Sequence, residues 1–477
     1  MVEIFTYIDL GFLAIFLIFF TTFIYTRKHN IKREGLMILY RAQWGVKLIN
    51  YLGKKYKRTL KALSYVSIVV GYLLMAGVIY LIYGIVKIYF FAPEIVRAIK
   101  IPPLLPLVPY LPQVFKLSFL PPFYFTYWIV ILAVIAIPHE LFHGIFMRRF
   151  NIKIKTTGFA FFPYFFPIFP AAFVEQDEKS MSKAGRFEQM AAVSAGTFAN
   201  VLTAILFFGI LWAFFSLAFS PSGVIFDSYA TSQIAVAGIT SINGIDLQTG
   251  NYSQLVSLAN ETNFSKVNYG NQTYLVTKEI LKGQENNDGE IFAYNDAPAI
   301  RDRMESTITE INSVSVRSLE ELSSEISKYS PGETITVTTK TDAGFVTRNI
   351  TLEEHPDRKG TAWLGIGFLS SGRSGIMGKI VDKLSSFKKS NVYYQPKLDG
   401  LGIFIYNLLW WTILISISVA FINMLPVGIF DGGRFFYLTI LSLTKKEKTA
   451  ERAFKISTQF FLLILLLLMV FWGLSWF

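Results

Sequence analysis

The sequence predicts an α-helical polytopic membrane protein with about six transmembrane helices and a polar α+β region inserted between two of them. Of its 477 residues, 52% are hydrophobic and 16% are charged, whereas soluble proteins have about 25% charged residues. Apolar runs of about 18 residues or more are typical of membrane-spanning helices. Six such runs occur, at about 4–26, 62–90, 123–147, 190–219, 401–425 and 456–477.

The loops that join these runs differ in positive charge, and the difference predicts their orientation. Lysine and arginine number eleven in residues 27–61, seven in 148–187 and five in 444–455, but only three in the loop 91–121. Short loops rich in Lys and Arg stay on the cytosolic side, so we expect a multi-pass protein of the cell membrane with both termini outside. The net charge of +12 then belongs to residues that flank the lipid bilayer, and we expect no nucleic acid partner.

Composition divides the chain into four regions. Residues 1–122 comprise two N-terminal transmembrane helices, a basic cytosolic loop and a proline-rich outer loop in which no regular helix is expected. Residues 123–221 and 396–477 are the two parts of a membrane core, and residues 222–395 form a polar extracytoplasmic insert. The chain has no cysteine, which excludes disulfides, thiolate nucleophiles and cysteine metal ligands.

The insert contains an internal repeat. The segments ITSINGIDLQT at 239–249 and ITEINSVSVRS at 308–318 share an alternation of apolar and polar residues that is interrupted by a turn, as in half-buried strands. The order of strands, turns and short helices around the second segment resembles a PDZ domain. The first segment would belong to a second, more divergent unit, unless one enlarged domain contains both. A PDZ fold captures extended peptide at a sheet edge, and the alternative role is a spacer that limits access to the membrane core.

The strongest chemical signal is HELFH at 139–143, at the end of the third apolar run. On a helix, His139 and His143 lie on one face and can bind one metal ion, with Glu140 beside them to take a proton from metal-bound water. This is the H-E-x-x-H pattern of zinc peptidases. Ionisable groups inside a membrane are costly without partners, which favours a functional role. The alternative is a proton-relay or ion-pair cluster in a transporter.

A catalytic zinc site normally has a third protein ligand. The other two histidines, His29 and His355, lie in a cytosolic loop and in the insert, and cysteine is absent. The third ligand is therefore expected to be a carboxylate near the cytosolic side, and the candidates are Glu175, Asp177, Glu178 and Asp431. Asp431 follows an apolar helix interrupted by Pro426 and Gly428, and irregular backbone of this kind lines cavities in membrane proteins.

HELFH at 139–143 and N-x-x-P-x-x-x-x-D-G at 423–432 together resemble the site-2 protease family of intramembrane zinc metalloproteases, in a PDZ-containing member. The resemblance implies Glu140 as the catalytic glutamate and one zinc ion bound by His139, His143 and Asp431. The family's asparagine, implicated in supporting the active site, falls on Asn423, in the same motif as Pro426. One departure is Phe430, which stands where the family usually has leucine.

Two further segments carry the resemblance. The family's G-x-x-x-N, in the span after the catalytic helix, is matched by Gly196 and Asn200, which would support the active site. Close packing of two membrane helices is an alternative role for both residues. The stretch 158–175 resembles the family's membrane-embedded hairpin, which lies near the active site and is expected to align substrate.

The resemblance implies an endopeptidase that cleaves transmembrane segments of single-span regulatory proteins already trimmed by another protease. Zinc would activate the carbonyl and the water, and Glu140 would act as general base and then as proton donor. Two rivals remain open. A membrane zinc peptidase of the prenyl-protein-processing type pairs H-E-x-x-H with a downstream glutamate, and a non-enzymatic metal transporter would use similar ligands without a general base.

Overall fold

The structure is a computed structural model, and its elements are numbered in chain order. The residues described are 2–27, 31–35, 37–99, 102–117, 119–162, 169–247, 251–261, 263–284, 289–341, 343–368 and 375–474. The chain forms two compact units, one made of Met1–Phe214 with Ile403–Phe477 and the other of Phe215–Gly402. Each unit has its own kind of architecture, helical in the first and mostly β in the second.

The helices and strands of the chain have the following bounds. Before the polar insert they are α1 Val2–Thr26, β1 Ile31–Glu34, β2 Met37–Ala42, α2 Trp44–Lys55, α3 Lys57–Phe91, α4 Pro93–Ile99, α5 Leu111–Val114, α6 Phe125–Arg149, β3 Ile154–Phe162, β4 Phe169–Gln176, α7 Glu178–Lys183 and α8 Arg186–Ala218. The insert contains β5 Phe219–Ile225, β6 Ser228–Tyr229, β7 Thr231–Ala235, β8 Ile239–Ile242, β9 Ile245–Asp246, α9 Tyr252–Leu258, β10 Ser265–Tyr269, β11 Gln272–Val276, α10 Lys278–Lys282, β12 Glu290–Asn295, α11 Pro298–Arg301, β13 Thr307–Ile311, β14 Val314–Ser315, α12 Leu319–Ile326, β15 Thr334–Thr341, β16 Gly344–Thr351, β17 Glu353–His355, β18 Arg358–Trp363, β19 Ile366–Gly367, α13 Gly375–Ser385 and β20 Val392–Pro396. After it come α14 Asp399–Asn423, α15 Asp431–Thr444 and α16 Glu447–Leu474.

Within the described residues, six helices are long and apolar enough to cross a membrane, namely α1, α3, α6, α8, α14 and α16. The chain is thus a polytopic helical membrane protein, as the apolar runs predict. Helix α3 begins at Lys57, five residues before its predicted run, because basic residues can continue a membrane helix beyond the bilayer. Helix α14 ends at Asn423, two residues earlier than predicted, because Pro426 disfavours helical backbone at Leu425.

The described residues of the proline-rich loop include two short helices, α4 and α5. Helix α5 lies in the segment 101–115, so the expectation that its prolines exclude regular helix is wrong. Helix α5 starts at Leu111 and has Pro112 in its first turn. Proline fits this position because the first N–H groups of a helix have no partner within the helix. The prolines therefore limit the length of helix in this loop but do not exclude it.

Helix α6 lies at the centre of the first unit. Near its start, Trp128 and Ile131 are buried together with Trp411 of α14. Near its end, Ile145 and Phe146 are buried against side chains of α2 and α8. In a membrane such close packing, rather than removal of apolar surface from water, holds helices together. The two clusters fix both ends of α6 and with them the segment between, where HELFH lies.

The hairpin expected at 158–175 is formed by β3 and β4, which pair antiparallel, although its residues 163–168 lie outside the described part of the chain. The hairpin belongs to a four-stranded sheet of order β1-β2-β3-β4. The predicted basic loop 27–61 thus contains two strands that the charge pattern does not reveal. Gly158 permits the pairing of β2 with β3, since a Cβ there would lie 2.0 Å from the carbonyl oxygen of Tyr40. The order leaves β4 at an edge.

The described residues of the insert include two larger sheets, each with a buried core. The first sheet has the order β7-β12-β11-β10-β8-β9, and the second has the order β16-β15-β13-β5-β20 with β14 beside β13. Ile242, Leu255 and Val267 are among the buried residues of the first core. Ile308 and Leu322 belong to the second core. In the second sheet β5 and β20 are neighbours, so the two ends of the insert lie side by side.

The sequence repeat occurs once in each sheet. Strands β8 and β9 are joined by a turn at 243–244, and β13 and β14 by a turn at 312–313, with positive φ at all four residues. A short helix follows each turn. The side chain of Asn251 accepts a hydrogen bond from the backbone N–H of Gln254 at the start of α9. Ser318 does the same for Glu321 at the start of α12. The repeated segments therefore form equivalent strand, turn, strand and helix arrangements.

Candidate metal centre

Two histidines of α6 and one carboxylate of α15 converge on a single point. His139 and His143 are 8% and 7% exposed, and their Nε2 atoms are 3.1 Å apart. The Oδ2 atom of Asp431 lies 3.3 Å from each of these nitrogens. Among the described residues, this is the only group of three His, Cys, Asp or Glu side chains with one ligand atom from each within 4.8 Å of the others.

The three atoms fit the ligand positions of a zinc ion. Tetrahedral bonds of about 2.0–2.1 Å place neighbouring ligand atoms about 3.3–3.4 Å apart, close to the observed spacings of 3.1 and 3.3 Å. The Oδ2 atom of Asp431 is buried and accepts no hydrogen bond from the described residues. An unsatisfied carboxylate oxygen is costly to bury, and a metal ion would satisfy it. Three protein ligands leave the fourth tetrahedral position to water or substrate.

The outer nitrogens of both imidazole rings have polar partners that orient the rings. The Nδ1 atom of His143 lies 2.7 Å from the carbonyl oxygen of Ala192, so Nδ1–H donates to it and Nε2 keeps its lone pair. The Nδ1 atom of His139 lies 3.1 Å from the amide Nδ2 of Asn200, both on buried side chains. Since the buried Oδ1 of Asn200 has no partner, turning the amide over lets Oδ1 accept from Nδ1–H. Both rings then present Nε2 to a metal, as ligating histidines usually do.

Asp431 reaches this point because the chain folds back after α14. Asn423 is the last residue of α14, and Asp431 is the first residue of α15. Between them, Pro426 is buried and its carbonyl oxygen accepts a hydrogen bond of 2.8 Å from Ser457 of α16. Residues Gly432 and Gly433 allow the turn to pack tightly, since a Cβ at either would lie 2.3–2.4 Å from backbone atoms of 424–427. The structure places Asn423 where this turn begins.

Glu140, which is not one of the three candidate ligands, contacts the hairpin. Its Oε2 accepts a hydrogen bond of 3.0 Å from the backbone N–H of Val174 in β4. It lines a polar cavity of about 490 Å³ that also contains His143, Asp431, Lys155 and Arg434. This cavity provides the polar surroundings that water needs to reach a site among apolar helices.

The other carboxylates considered as ligands have different partners. Glu175 lies 3.4 Å from Arg41 and 3.9 Å from Lys155. Asp177 accepts a hydrogen bond from the backbone N–H of Ser180 and caps α7. Glu178 accepts a hydrogen bond of 2.8 Å from the side-chain amide of Gln176 and lies 4.0 Å from Arg434. His355 lies on β17 of the insert, and His29 is outside the described residues.

Gly196 of α8 lies directly against the two histidines. A Cβ at this position would be 2.2 Å from Nε2 of His143 and 2.6 Å from Nε2 of His139. Hydrogen is therefore the only side chain that leaves both rings in place. The contacts from Ala192 and Val174 cannot be read from the sequence, because backbone groups contribute them. Every residue has a carbonyl group, and every residue except proline has an N–H.

We predict that Gly196→Ala weakens zinc binding by at least about tenfold, similar to the loss of a ligand-orienting partner. The added methyl group would displace both imidazole rings from the metal. Zinc content after dialysis against graded chelator measures the effect. Gly209→Ala on the same helix is the matched control, because a Cβ there has no neighbour within 4 Å. Equal zinc binding by the two variants would contradict the observed packing.

Two comparisons with known proteins indicate the family of the chain. The zinc metalloprotease RasP of Shouchella clausii is 25% identical to the chain over 224 residues, which cover 42% of this chain and 51% of RasP. The chain thus spans about half the length of this curated relative. The model of peptidase family M50 matches residues 127–468, which is well over half of the chain and includes HELFH and Asp431 but neither α1 nor α3. The chain therefore belongs to peptidase family M50, the site-2 protease family that its paired motifs predict, and zinc is the metal of that family.

Proposed function

We propose that the protein is a zinc-dependent intramembrane endopeptidase. The observation that carries the proposal is the close group of ligand atoms from His139, His143 and Asp431, with Glu140 on the same helix. These three residues would hold the metal. When bound, zinc polarises the carbonyl of a peptide bond and lowers the pKa of a water molecule.

Glu140 is the proposed general base. It is adjacent to His139 in the chain, and the N–H of Val174 holds one of its carboxylate oxygens, so the side chain is oriented. The carboxylate accepts a proton from the attacking water and then donates it to the amide nitrogen of the departing peptide. Lys155 and Arg434 line the same cavity and stabilise negative charge that develops there.

The edge strand β4 is proposed to align the substrate. Val174 belongs to β4, and β4 is the last strand in its sheet. An extended peptide can add to such an edge through main-chain hydrogen bonds. A helical substrate keeps its carbonyl groups in its own hydrogen bonds. We therefore expect cleavage where the substrate helix unwinds easily.

The proposed substrates are single-span membrane proteins, such as tethered regulators, that another protease has already shortened. The basic loops support an orientation in the cell membrane with the metal centre near the cytosolic side and the insert outside. The repeated units of the insert are proposed to be PDZ-like and to select substrates by the size or end of their external portion. Asn423 and Pro426 are proposed to support the active site, as are Gly196 and Asn200.

The two rival functions are less well supported. A metal transporter has no need of a glutamate held beside the ligands, as Glu140 is held by Val174. A peptidase of the prenyl-protein-processing type would pair H-E-x-x-H with a glutamate, whereas the carboxylate nearest the histidines is Asp431.

Glu140→Gln is expected to keep zinc near one ion per chain and to lower kcat by about 100-fold to 10,000-fold, the usual contribution of a general base. The metal ligands survive in this variant and the proton acceptor does not. Cleavage of a fluorescent transmembrane peptide, together with zinc analysis of the same sample, measures both effects. Full activity of the variant would rule out the proposed mechanism.

Asp431→Ala is expected to weaken zinc binding by more than about 100-fold, beyond the 10- to 100-fold typical of residues outside the ligand set, and to abolish cleavage. Glu178→Ala is the matched control, since its side chain is 70% exposed and lies at the rim of the same cavity. Glu175→Ala and Asp177→Ala should also retain the metal. Wild-type zinc affinity in Asp431→Ala would overturn the ligand assignment.

Removal of the insert is expected to leave zinc bound but to change which external-domain lengths are cleaved. Strands β5 and β20 pair Pro221 with Tyr394, so a two-residue Asn-Gly turn can join these positions. Cleavage of a substrate series with graded external domains gives the measurement. If the shortened protein has the same length preference as the wild type, the insert is a spacer and does not select substrates.

A further inference from the structure

Helix α1 carries a buried acidic residue, Asp9, that the proposed chemistry does not use. The residue is only 2% exposed, although it lies in a membrane-spanning helix, where a carboxylate is costly without partners. The carboxylate accepts hydrogen bonds from the backbone N–H groups of Phe125 at 2.7 Å and Thr126 at 2.8 Å. The hydroxyl groups of Thr126 and Tyr110 also donate to it.

Phe125 and Thr126 are the first two residues of α6, the helix that carries HELFH. The first N–H groups of a helix lack partners within the helix and form the positive end of its dipole. The residue before α6, Tyr124, offers no side-chain cap. Asp9 therefore supplies from α1 the negative cap that the start of α6 lacks. Burial and the hydrogen bond to Asp9 raise the pKa of Tyr110, which keeps its hydroxyl protonated as a donor.

Beyond Asp9, α1 forms one wall of an apolar groove. Four of its phenylalanines, at positions 16, 19, 20 and 23, line a cavity of about 350 Å³. Ala133 and Ala136 of α6 also line this cavity, as does Ala172 of β4. The small residues leave room between the two helices, and the groove has almost no polar surface.

The groove leads to Glu140. Ile137, Phe159 and Ala172 line both the groove and a small adjoining cavity to which Glu140 contributes. Glu140 therefore has an apolar approach along α1 in addition to the polar cavity beside Asp431. Strand β4 runs along this approach at the edge of its sheet, and its main chain can pair with a peptide but not with a lipid chain.

We propose that Asp9 is a positioning residue, because its hydrogen bonds hold α1 against the start of the catalytic helix. In this position α1 forms one side of a groove that binds the apolar segment of a substrate. The inference rests on the proposed endopeptidase function and assigns a role to a helix outside the family match at 127–468. The occupant is one apolar transmembrane segment, which passes between α1 and α6 before its peptide bond reaches Glu140.

Crosslinking tests occupancy of the groove independently of turnover. Because the chain has no cysteine, Ala133→Cys gives a single thiol in the groove, and Val130→Cys gives one on α6 at an exposed position outside it. The probe is a synthetic transmembrane peptide of leucine and alanine with one cysteine, in phosphatidylcholine vesicles, with Glu140→Gln in both proteins to prevent cleavage. With an added thiol oxidant to accept the two electrons, we expect disulfide formation with Ala133→Cys at least about fivefold above Val130→Cys. Equal labelling, or labelling of the groove thiol by a thiol-reactive acyl chain but not by the peptide, overturns the proposal.

Kinetics test the role of Asp9. Asp9→Asn removes the charge at constant size, and we expect KM for the cleavable form of the peptide to rise about tenfold, comparable to one lost charge-assisted hydrogen bond, while kcat and zinc content stay near wild type. Asp9→Glu should restore most of the affinity. A parallel fall in kcat, zinc content and Tm, with KM unchanged, would mean that Asp9 only stabilises the fold and would overturn the inference. Ala133→Phe, which fills the groove, should raise KM, whereas Val130→Phe should not.

The same assay separates this inference from the function on which it rests. If the wild-type protein does not cleave the peptide, or Glu140→Gln cleaves it normally, the endopeptidase proposal fails. If the wild type cleaves, Glu140→Gln does not, and Asp9→Asn and Ala133→Phe match the wild type in KM, only the role of α1 fails.

Discussion

Polar groups placed among membrane helices must find partners within the protein, and this requirement determines the construction around HELFH. The lipid interior offers no hydrogen bonds, so an imidazole or a carboxylate there is stable only against another polar group or a metal ion. On α8, the carbonyl group of Ala192 contacts Nδ1 of His143, and the amide group of Asn200 contacts Nδ1 of His139. Val174 of β4 receives Glu140. The Nε2 atoms of both histidines lie next to the carboxylate of Asp431.

These partners come from elements far apart in the chain, so each ionisable group ties one element to α6. Asp431 connects α6 to the turn after α14, and Glu140 connects α6 to the four-stranded sheet. Asp9 connects α6 to α1. Glycines make the approaches possible. Gly196 brings α8 against the histidine rings, and Gly144 brings α6 against Ile49 of α2, where a Cβ would lie 2.6 Å away. Small residues have this use in membranes because close contact, rather than water exclusion, drives helix association.

The sequence predicts well those features that are local or that follow from composition. The spacing of His139 and His143 on a helix, the six apolar spans and the broken helix before Asp431 all follow from the pattern of residues alone. The strands β1 and β2 were missed, since a short basic segment becomes a strand only when β3 lies beside it. The proximity of Asp9 to the start of α6 was missed for the same reason, and only the family resemblance indicated that Gly196 lies at the active site. Such contacts depend on how helices pack against each other. The spacing of apolar residues along one helix shows which face is buried but not which helix lies against that face.

The large separation in sequence between the parts of the metal centre has a consequence for biosynthesis. His143 and Asp431 are 288 residues apart, and ribosomes add roughly 5–20 residues per second. The histidine helix therefore waits about 15 to 60 seconds before the aspartate exists. During that interval the nascent chain has two of the three proposed ligands and cannot complete the proposed site. Translation order thus keeps the centre unassembled until the insert has been made and the fifth membrane helix has followed it.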